Sequence, residues 1–349
     1  MTSFRSPLMT PPDPAAPSGR RWLTPLVGIV ISGALLYWAL QGVDMGAAVA
    51  AAREASPTWL LAGVATATAT FLLRVPRWQL LLRTDLGAPL AAATAWHGIA
   101  IGFMANNIIP RSGEFLRAGV AARLAPVSYT AAFSSVAVER IFDGLTITTM
   151  LALALFSPDI PADARVGDAL VRDMAMRAGI LCLVLLAGAM VVVAMPARAE
   201  RLARRLIPWP RIADKIAALM HGVVSGLGAM RSPSRLAGVV AWSVILWTVG
   251  ALSFWMVARG FGIPLGLGGA FLLQGVLAFG VAAPSTPGYV GVFEGVIVAV
   301  LTVFGIDKDL ALAYAVTYHV ATFLPIVLLG AVSVLRTPIS FGDLRRRPT

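Results

Sequence analysis

The chain has 349 residues, of which 58% are hydrophobic and 13% are charged, with one cysteine and a formal net charge of +11. So apolar a composition argues against an ordinary soluble protein and is typical of a chain whose solvent is the lipid bilayer. The lone cysteine, Cys182, excludes an intrachain disulfide, and anionic lipid headgroups explain the basic charge better than nucleic acid does.

Apolar stretches long enough to cross a bilayer, at about 20 residues each, recur along the chain. They are residues 23–41, 58–73, 128–156, 177–195, 236–258 and 311–335. Basic residues gather between them in particular segments, which the positive-inside rule makes cytoplasmic. These segments are residues 20–21, the stretch with Arg74, Arg77 and Arg83, the loop 198–235 and the tail after residue 335. Both termini are therefore predicted to be cytoplasmic, with 42–57, 157–175, 259–266 and 305–310 as loops on the other side.

Two further apolar segments, residues 95–124 and 267–305, are interrupted by helix-breaking residues. The interruptions are Asn106, Asn107, Pro110 and Gly113 in the first, and Pro284, Pro287, Gly288 and Gly291 in the second. Proline removes a backbone donor, and lipid cannot satisfy the backbone groups that a break frees, so they must be buried in protein or line a wet cavity. Each segment is predicted to be a re-entrant pair of helices, whose depth the sequence leaves open.

The order span, span, hairpin, span occurs twice. Three crossings in each half give the halves opposite orientation, and inverted repeats with interrupted helices are typical of transporters that bind substrate near the midplane. Chance placement of Pro and Gly is the alternative. The predicted fold is an all-α polytopic membrane protein with about six transmembrane helices and two broken hairpins. Its parts are a disordered leader (1–21), a membrane domain (22–335, with halves 22–156 and 177–335) and a basic cytoplasmic tail (336–349).

Glu139, Arg140 and Asp143 lie in the middle of the third predicted span. Charged side chains at the centre of a bilayer are costly unless they pair or face a cavity. In a helix Glu139 and Asp143 share a face, and Arg140 lies one turn from Asp143. The group either forms an internal salt-bridge cluster that holds this helix to a neighbour or lines a polar pathway.

The first broken segment supplies Arg111, Glu114 and Arg117. A helix that begins near Ser112 would direct free backbone amides and its positive dipole end at an anion such as a lipid phosphate. Arginine suits this task because its fork holds two phosphate oxygens. The alternative is that Arg111 and Arg117 extend to the membrane interface, while the asparagines satisfy the broken backbone.

The second broken segment supplies Tyr289 and Glu294, together with Gly288, which is free to adopt positive φ. Glu294 could accept a proton, bind a headgroup, or cap or pair within the fold. His319, in the last span, is either part of a proton relay or a buried histidine with its hydrogen bonds satisfied.

The segments NNIIPRSGEFLRA, VERIFDG and PSTPGYVGVFEG occur in this order and together resemble the flippase-like family named for the transmembrane region of lysylphosphatidylglycerol synthase. The resemblance covers residues 22 to 335 and implies re-entrant helices and a role in moving or handling lipids, among them aminoacylated phosphatidylglycerol, hopanoid-related lipids and polyprenyl-linked sugars. Its motifs fall on Arg111, Glu114, Arg117, Glu139, Arg140, Asp143, Pro287, Gly288, Gly291 and Glu294. A fused domain that charges lipids with lysine, and its activity, are not expected.

Three functions fit these observations. The first is a lipid transporter in which Arg111 and Arg140 meet a headgroup phosphate while Glu139 balances charge or carries protons. The second is an intramembrane lipid-modifying transferase that uses Glu139 and Asp143 as acid and base, and the third is a non-transporting partner of a lipid-synthesis enzyme. We expect the transporter, in a bacterial inner membrane, with a lipid as partner, no nucleic acid, no cofactor and no metal; an oligomer is compatible with the sequence.

Overall fold

The computed structural model describes residues 23–158, 232–282 and 285–338, together with single positions and short runs between 160 and 209. The predicted leader, the span 177–195, the loop 198–235 and the tail lie wholly or largely outside the described residues. The described chain is almost entirely helical, with one short antiparallel pair of strands, β1 (Arg165–Val166) and β2 (Ala169–Leu170).

The first half contains six helices. They are α1 (Leu23–Leu40), α2 (Met45–Glu54), α3 (Pro57–Leu81), α4 (Ala92–Ile108), α5 (Gly113–Leu124) and α6 (Tyr129–Ala154). The described part of the second half contains four further α-helices and one turn of 3-10 helix. They are α7 (Pro233–Gly260), α8 (Leu267–Ala282), the 3-10 turn (Pro287–Tyr289), α9 (Val292–Val303) and α10 (Lys308–Leu335). Both predicted hairpins are thereby confirmed as helix, break, helix, with α4 and α5 in the first and α8 and α9 in the second.

Among the described residues, α3, α7 and α10 are long and apolar enough to cross a membrane. The bent pair formed by α1 and α2, which meet at 84°, makes a fourth span if it is counted as one. Helix α6 has 26 residues but carries Glu139, Arg140 and Asp143 in its middle. The molecule is therefore an all-α polytopic membrane protein.

Two predicted boundaries are wrong. The predicted loop 42–57 contains α2, whose first turn is capped by the Asp44 carboxylate through the amides of Gly46 and Ala47. The second predicted span does not end at residue 73, because α3 continues through Pro76 to Leu81. Arg74 and Arg77 therefore lie inside a membrane helix and not in a cytoplasmic loop.

The two halves pack in equivalent ways. Helices α3 and α7 lie side by side and make the most extensive contact between any two described helices. Both begin after a serine with a proline in the first turn. Within each half, the second arm of the hairpin packs on the last helix, α5 on α6 and α9 on α10. The first arm crosses to the last helix of the other half, so that α4 contacts α10 and α8 contacts α6. This exchange of partners is the pattern that two repeats related by an approximate twofold axis produce, and it supports the predicted repeat.

Small residues allow the helices of the first hairpin to approach closely, as is common between membrane helices. A Cβ added at Gly102 would lie 2.9 Å from the carbonyl oxygen of Gly113, and one added at Gly113 would overlap the carbonyl of Gly102. On the other side of α4, Gly330 of α10 lies against Met104 and the carbonyl of Ala100. The first hairpin is therefore held between α6 and the last helix of the second half.

Candidate functional site

Polar side chains in and beside the first break, residues 109–112, hydrogen-bond with one another and with the backbone there. Asn106 accepts a hydrogen bond from the amide of Gly113 at 2.7 Å and donates one to Glu114 at 3.3 Å. The hydroxyl of Ser112 donates to the carbonyl of Ile109 at 2.7 Å. Asn106 satisfies broken backbone as predicted, whereas Nδ2 of Asn107 has no hydrogen-bond partner among the described residues. At the predicted helix N-terminus near Ser112, Asn106 occupies the amide of Gly113.

Arg111 connects the first break to the second hairpin. Its backbone has a φ of +66°, and its guanidinium donates to the carbonyl of Ala282, the last residue of α8. A cation suits this position because the carbonyls at the C-terminus of a helix lack intrahelical donors. Arg111 is also exposed, so the alternative in which it extends to the interface stays a prediction.

The second break uses glycine where the first uses asparagine. Gly288 and Gly291 have φ values of +71° and +89°, as predicted for Gly288, and Tyr289 has a φ of +61°. The amide of Gly291 donates to the Glu294 carboxylate at 2.7 Å, which caps the start of α9. Pro287 begins the 3-10 turn, whereas Pro284 lies outside the described residues. The 3-10 turn packs on α4, and Arg111 reaches α8, so the two breaks adjoin each other.

Glu139 is the centre of a buried network of charged residues. Its side chain has no exposed surface, and Arg117 of α5 binds both of its oxygens, at 2.9 and 2.7 Å. Arg140 and Arg77 each lie 2.9 Å from its Oε1 atom. Arg117, which is 3% exposed, also lies over the ring of Trp78 at 3.9 Å. Arg117 therefore does not extend to the interface, and it pairs with Glu139 and not with Glu114.

Asp143 extends this network to the second half. Arg77 donates to its Oδ1 atom at 2.6 Å, and the indole of Trp247, on α7, donates to the same atom at 3.0 Å. Arg140 lies 3.0 Å from Oδ2, the i,i+3 pair that the sequence predicted. Arg77 also donates to Ser243 of α7 at 3.2 Å. The cluster thus joins α3, α5, α6 and α7, as the salt-bridge alternative requires.

The cluster contains more positive than negative charge. Its four guanidiniums belong to Arg74, Arg77, Arg117 and Arg140, and its two carboxylates to Glu139 and Asp143, which leaves a net charge of +2. Counting Glu114, whose field reaches Arg140, still leaves an excess of one positive charge. Arg140 is 42% exposed and Arg74 is 11% exposed, so these two arginines form the accessible side of the cluster.

Arg74 is the arginine of the cluster that borders a cavity. Within the described part of the chain, the only carboxylate within 4 Å of its guanidinium is that of Glu139, at 3.7 Å, and the guanidinium also lies over the ring of Phe103 at 4.5 Å. It lines a cavity of about 200 Å³ between the halves, walled by α3 and α7 and by residues of the second hairpin and α10. Gln274, Trp247 and Thr322 add polar groups to this wall. The arrangement suits an anion that enters between the halves.

The second half has an ionic pair at the equivalent interface. Nδ1 of His319 lies 2.5 Å from the Oε1 atom of Glu294, and both side chains are buried. The imidazole stacks on Phe293 with ring centroids 4.1 Å apart. Glu294 therefore both caps and pairs, as two of its predicted alternatives stated. Where the first half joins α5 to α6 through Arg117 and Glu139, the second joins α9 to α10 through Glu294 and His319.

The structure brings most of the predicted residues together, but it also adds two. Arg111, Glu114, Arg117, Glu139, Arg140, Asp143, Tyr289 and Glu294 lie in or beside the breaks and the cluster. Arg74 and Arg77 were not among the predicted site residues. Their i,i+3 spacing, with apolar residues on both sides, was the available signal that they share the inner face of one helix.

A polytopic helical membrane protein with buried ions and two adjoining broken helices is built like a protein that handles solutes or lipids within the membrane. Residues 26–330 match the family described as the lysylphosphatidylglycerol synthase TM region, and the chain belongs to that family. The family is named for the membrane part of a lipid synthase, so the coarse role that membership supports is a lipid-related role in the membrane.

Two relatives extend this comparison. The chain is 26% identical to glycosyltransferase AglD of Haloferax volcanii, over 92% of this chain but only 55% of AglD. It is 24% identical to the UPF0104 membrane protein PH1989 of Pyrococcus horikoshii, over 91% of this chain and 97% of that protein. No solved structure matches the chain.

Proposed function

We propose that the protein is a flippase-like lipid transporter that moves a phosphate-containing lipid, such as a phospholipid or a polyprenyl phosphate, between the two leaflets. The observation that carries the proposal is the surplus of arginine over carboxylate among the described residues of the cluster, together with the cavity between the halves that Arg74 lines. A phosphate would supply the negative charge that the cluster lacks, and its tails would remain in the bilayer.

The proposed role of each arginine follows from how exposed its side chain is. Arg74 and Arg140 are the accessible arginines, and they bind the phosphate through charge-assisted hydrogen bonds. Arg77 and Arg117 are buried against Glu139 and Asp143, so they position these acids. Arg111, predicted to meet the phosphate, is engaged with Ala282 and holds the two breaks together instead.

Reconstitution into vesicles tests the proposal. Fluorescently labelled phosphatidylglycerol or labelled prenyl phosphate is placed in both leaflets, and a membrane-impermeant quencher reports the fraction that reaches the outer leaflet. Vesicles that contain the protein are expected to lose fluorescence beyond the outer-leaflet fraction, whereas protein-free vesicles are not. Unchanged accessibility for every lipid class tried, with folded protein, would refute the proposal.

Two variants refine the experiment. Arg74→Gln removes the guanidinium that lines the cavity and is expected to slow transport of phosphate-containing lipids while leaving the protein folded. Arg259→Gln is the matched control, because Arg259 is an exposed arginine at the end of α7 whose contact is with the ring of Trp255. Equal transport rates for the two variants would show that Arg74 does not bind the substrate.

The transferase alternative has one point in its favour, the printed name of AglD, but the chain spans only 55% of that protein. Glu139 is fully buried and both of its oxygens accept hydrogen bonds from arginine, which leaves no side from which a substrate proton can approach it. We therefore assign no catalytic residue. A lipid product that differs in mass from the lipid supplied would restore the enzyme alternative.

The orientation of the chain in the membrane is also a proposal. By the positive-inside rule we propose that both termini lie in the cytoplasm and that the protein lies in a bacterial inner membrane, with anionic lipid headgroups at its basic loops. The alternative of a non-transporting partner relies on the loop 198–235. Retained function in cells after Glu139→Gln and Arg140→Gln would favour that alternative.

A further inference from the structure

A second cavity, of about 500 Å³, lies on the opposite face of α3 from the central one. Its walls come from α3, α4 and α10, and it shares no lining residue with the cavity at Arg74. Its lining residues are Leu72, Val75, Pro76, Ala92, Ala93, Trp96, His97, Val332, Ser333 and Arg336. The volume is within the range of ligand pockets, about 300–1,000 Å³, and the lining is mostly apolar.

Two polar atoms of the residues that line this groove have no hydrogen-bond partner among the described residues. Ser333 is only 1% exposed, yet its hydroxyl has no hydrogen-bond partner among the residues that the structure describes. The Nδ1 atom of His97, on α4, is likewise without a partner in the described part of the chain. Buried polar groups are ordinarily hydrogen-bonded, so two such groups beside one groove suit a ligand that carries hydrogen-bonding oxygens.

The groove also has a charged end. Arg336 follows α10 directly, is exposed, and lies three residues beyond Ser333, which places it about one helical turn, roughly 5 Å, along the axis. Trp96 lies in the same wall, and tryptophan favours the level of the headgroups. From Arg336 inward the groove therefore runs from cation to hydroxyl to apolar surface.

This order of cation, hydroxyl and apolar surface matches the order of phosphate, ester and acyl chain in a glycerophospholipid. We propose that the groove binds a single phospholipid from the leaflet that contains the C-terminal end of α10. Its phosphate pairs with Arg336, an ester carbonyl accepts a hydrogen bond from Ser333, and one acyl chain lies along Leu72, Val75 and Val332. The site is independent of the proposed transport, because the central cavity opens on the other face of α3.

Native mass spectrometry of the purified, delipidated full chain, titrated with palmitoyl-oleoyl phosphatidylglycerol, tests the site. The wild type is expected to retain one phosphatidylglycerol per chain. Arg336→Gln is expected to bind it about tenfold more weakly, the loss of a charge-assisted contact. Ser333→Ala, which removes the hydroxyl from a buried position without adding volume, is expected to weaken binding of the lipid. The thermal stability of each variant is measured in parallel.

Arg259→Gln is again the control, since it removes an exposed arginine beside a tryptophan outside this groove. It is expected to bind phosphatidylglycerol as the wild type does. Palmitoyl-oleoyl glycerol, which has the same chains and no phosphate, is expected to be retained weakly. Equal retention of phosphatidylglycerol by the wild type, Arg336→Gln and Ser333→Ala would overturn the proposal, and so would equal retention of the two lipids by the wild type.

Discussion

Replacement of Glu139 by glutamine tests whether the buried cluster holds the membrane helices together. Glu139 is fully buried and contacts Arg77, Arg117 and Arg140 within 3 Å, with Arg74 at 3.7 Å. Glutamine keeps the shape but leaves four guanidiniums against one carboxylate. Removal of one partner from a buried ion pair costs about 3–5 kcal/mol, because the remaining charge is left uncompensated. The expected loss in the free energy of unfolding is at least of this size.

Unfolding in mixed micelles, followed by tryptophan fluorescence, measures the loss, since Trp78 and Trp247 lie beside the cluster. Arg140→Gln is the matched control: its side chain touches the same acids but is 42% exposed, so its removal is expected to cost about 1 kcal/mol or less. A Glu139→Gln protein as stable as wild type, or losses of equal size for both variants, would refute the reasoning.

A double-variant cycle separates charge from shape. Arg117→Gln alone also leaves an unbalanced cluster, but Arg117→Gln with Glu139→Gln removes one charge of each sign. The two losses are therefore expected to be non-additive by at least about 1 kcal/mol. Strict additivity would show that the bidentate pair does not couple the two helices.

Two further predictions concern the second hairpin. Gly291→Ala is expected to cost about 2 kcal/mol or more in unfolding free energy, because φ is positive and the new methyl would overlap the carbonyl of Ser32. Gly305→Ala, also at positive φ but with open space around it, is the control at about 1 kcal/mol, and equal losses would contradict the close approach. His319→Phe should lower the unfolding midpoint less in a Glu294→Gln background, where no carboxylate is left unpaired; equal shifts would count against the pair.

The hairpins and the charges of α6 could be predicted because their signals are local. Proline and glycine interrupt a helix wherever the chain places them, and three charges in an apolar run require an explanation in any fold. The sequence also indicated that one acid was left over from the local pair of Arg140 and Asp143. It could not say where the remaining partners lie, since that depends on which helices pack together.

Arg74 and Arg77 show why the partners were missed. An arginine that follows a long apolar run is ordinarily the end of a span, and the prediction ended the helix there. The helix instead continues past Pro76, and Arg77 becomes fully buried because Glu139, Asp143 and Ser243 receive its donors. Only tertiary pairing makes that burial tolerable, and the i,i+3 spacing within α3 indicates a shared face but not the partners on the other helices.

The two halves share a packing plan but differ in chemistry, and the difference is itself informative. At the interface of hairpin and last helix, the first half uses arginines, which keep their charge under all ordinary conditions. The second half uses His319 in contact with Glu294. A fixed positive cluster suits recognition of a phosphate, whereas the Glu294 carboxylate, which also caps the break at Gly291, fixes the backbone there. Under the proposed function, recognition therefore belongs to the arginines of α3 and α6, and Arg111 joins the two hairpins through the end of α8.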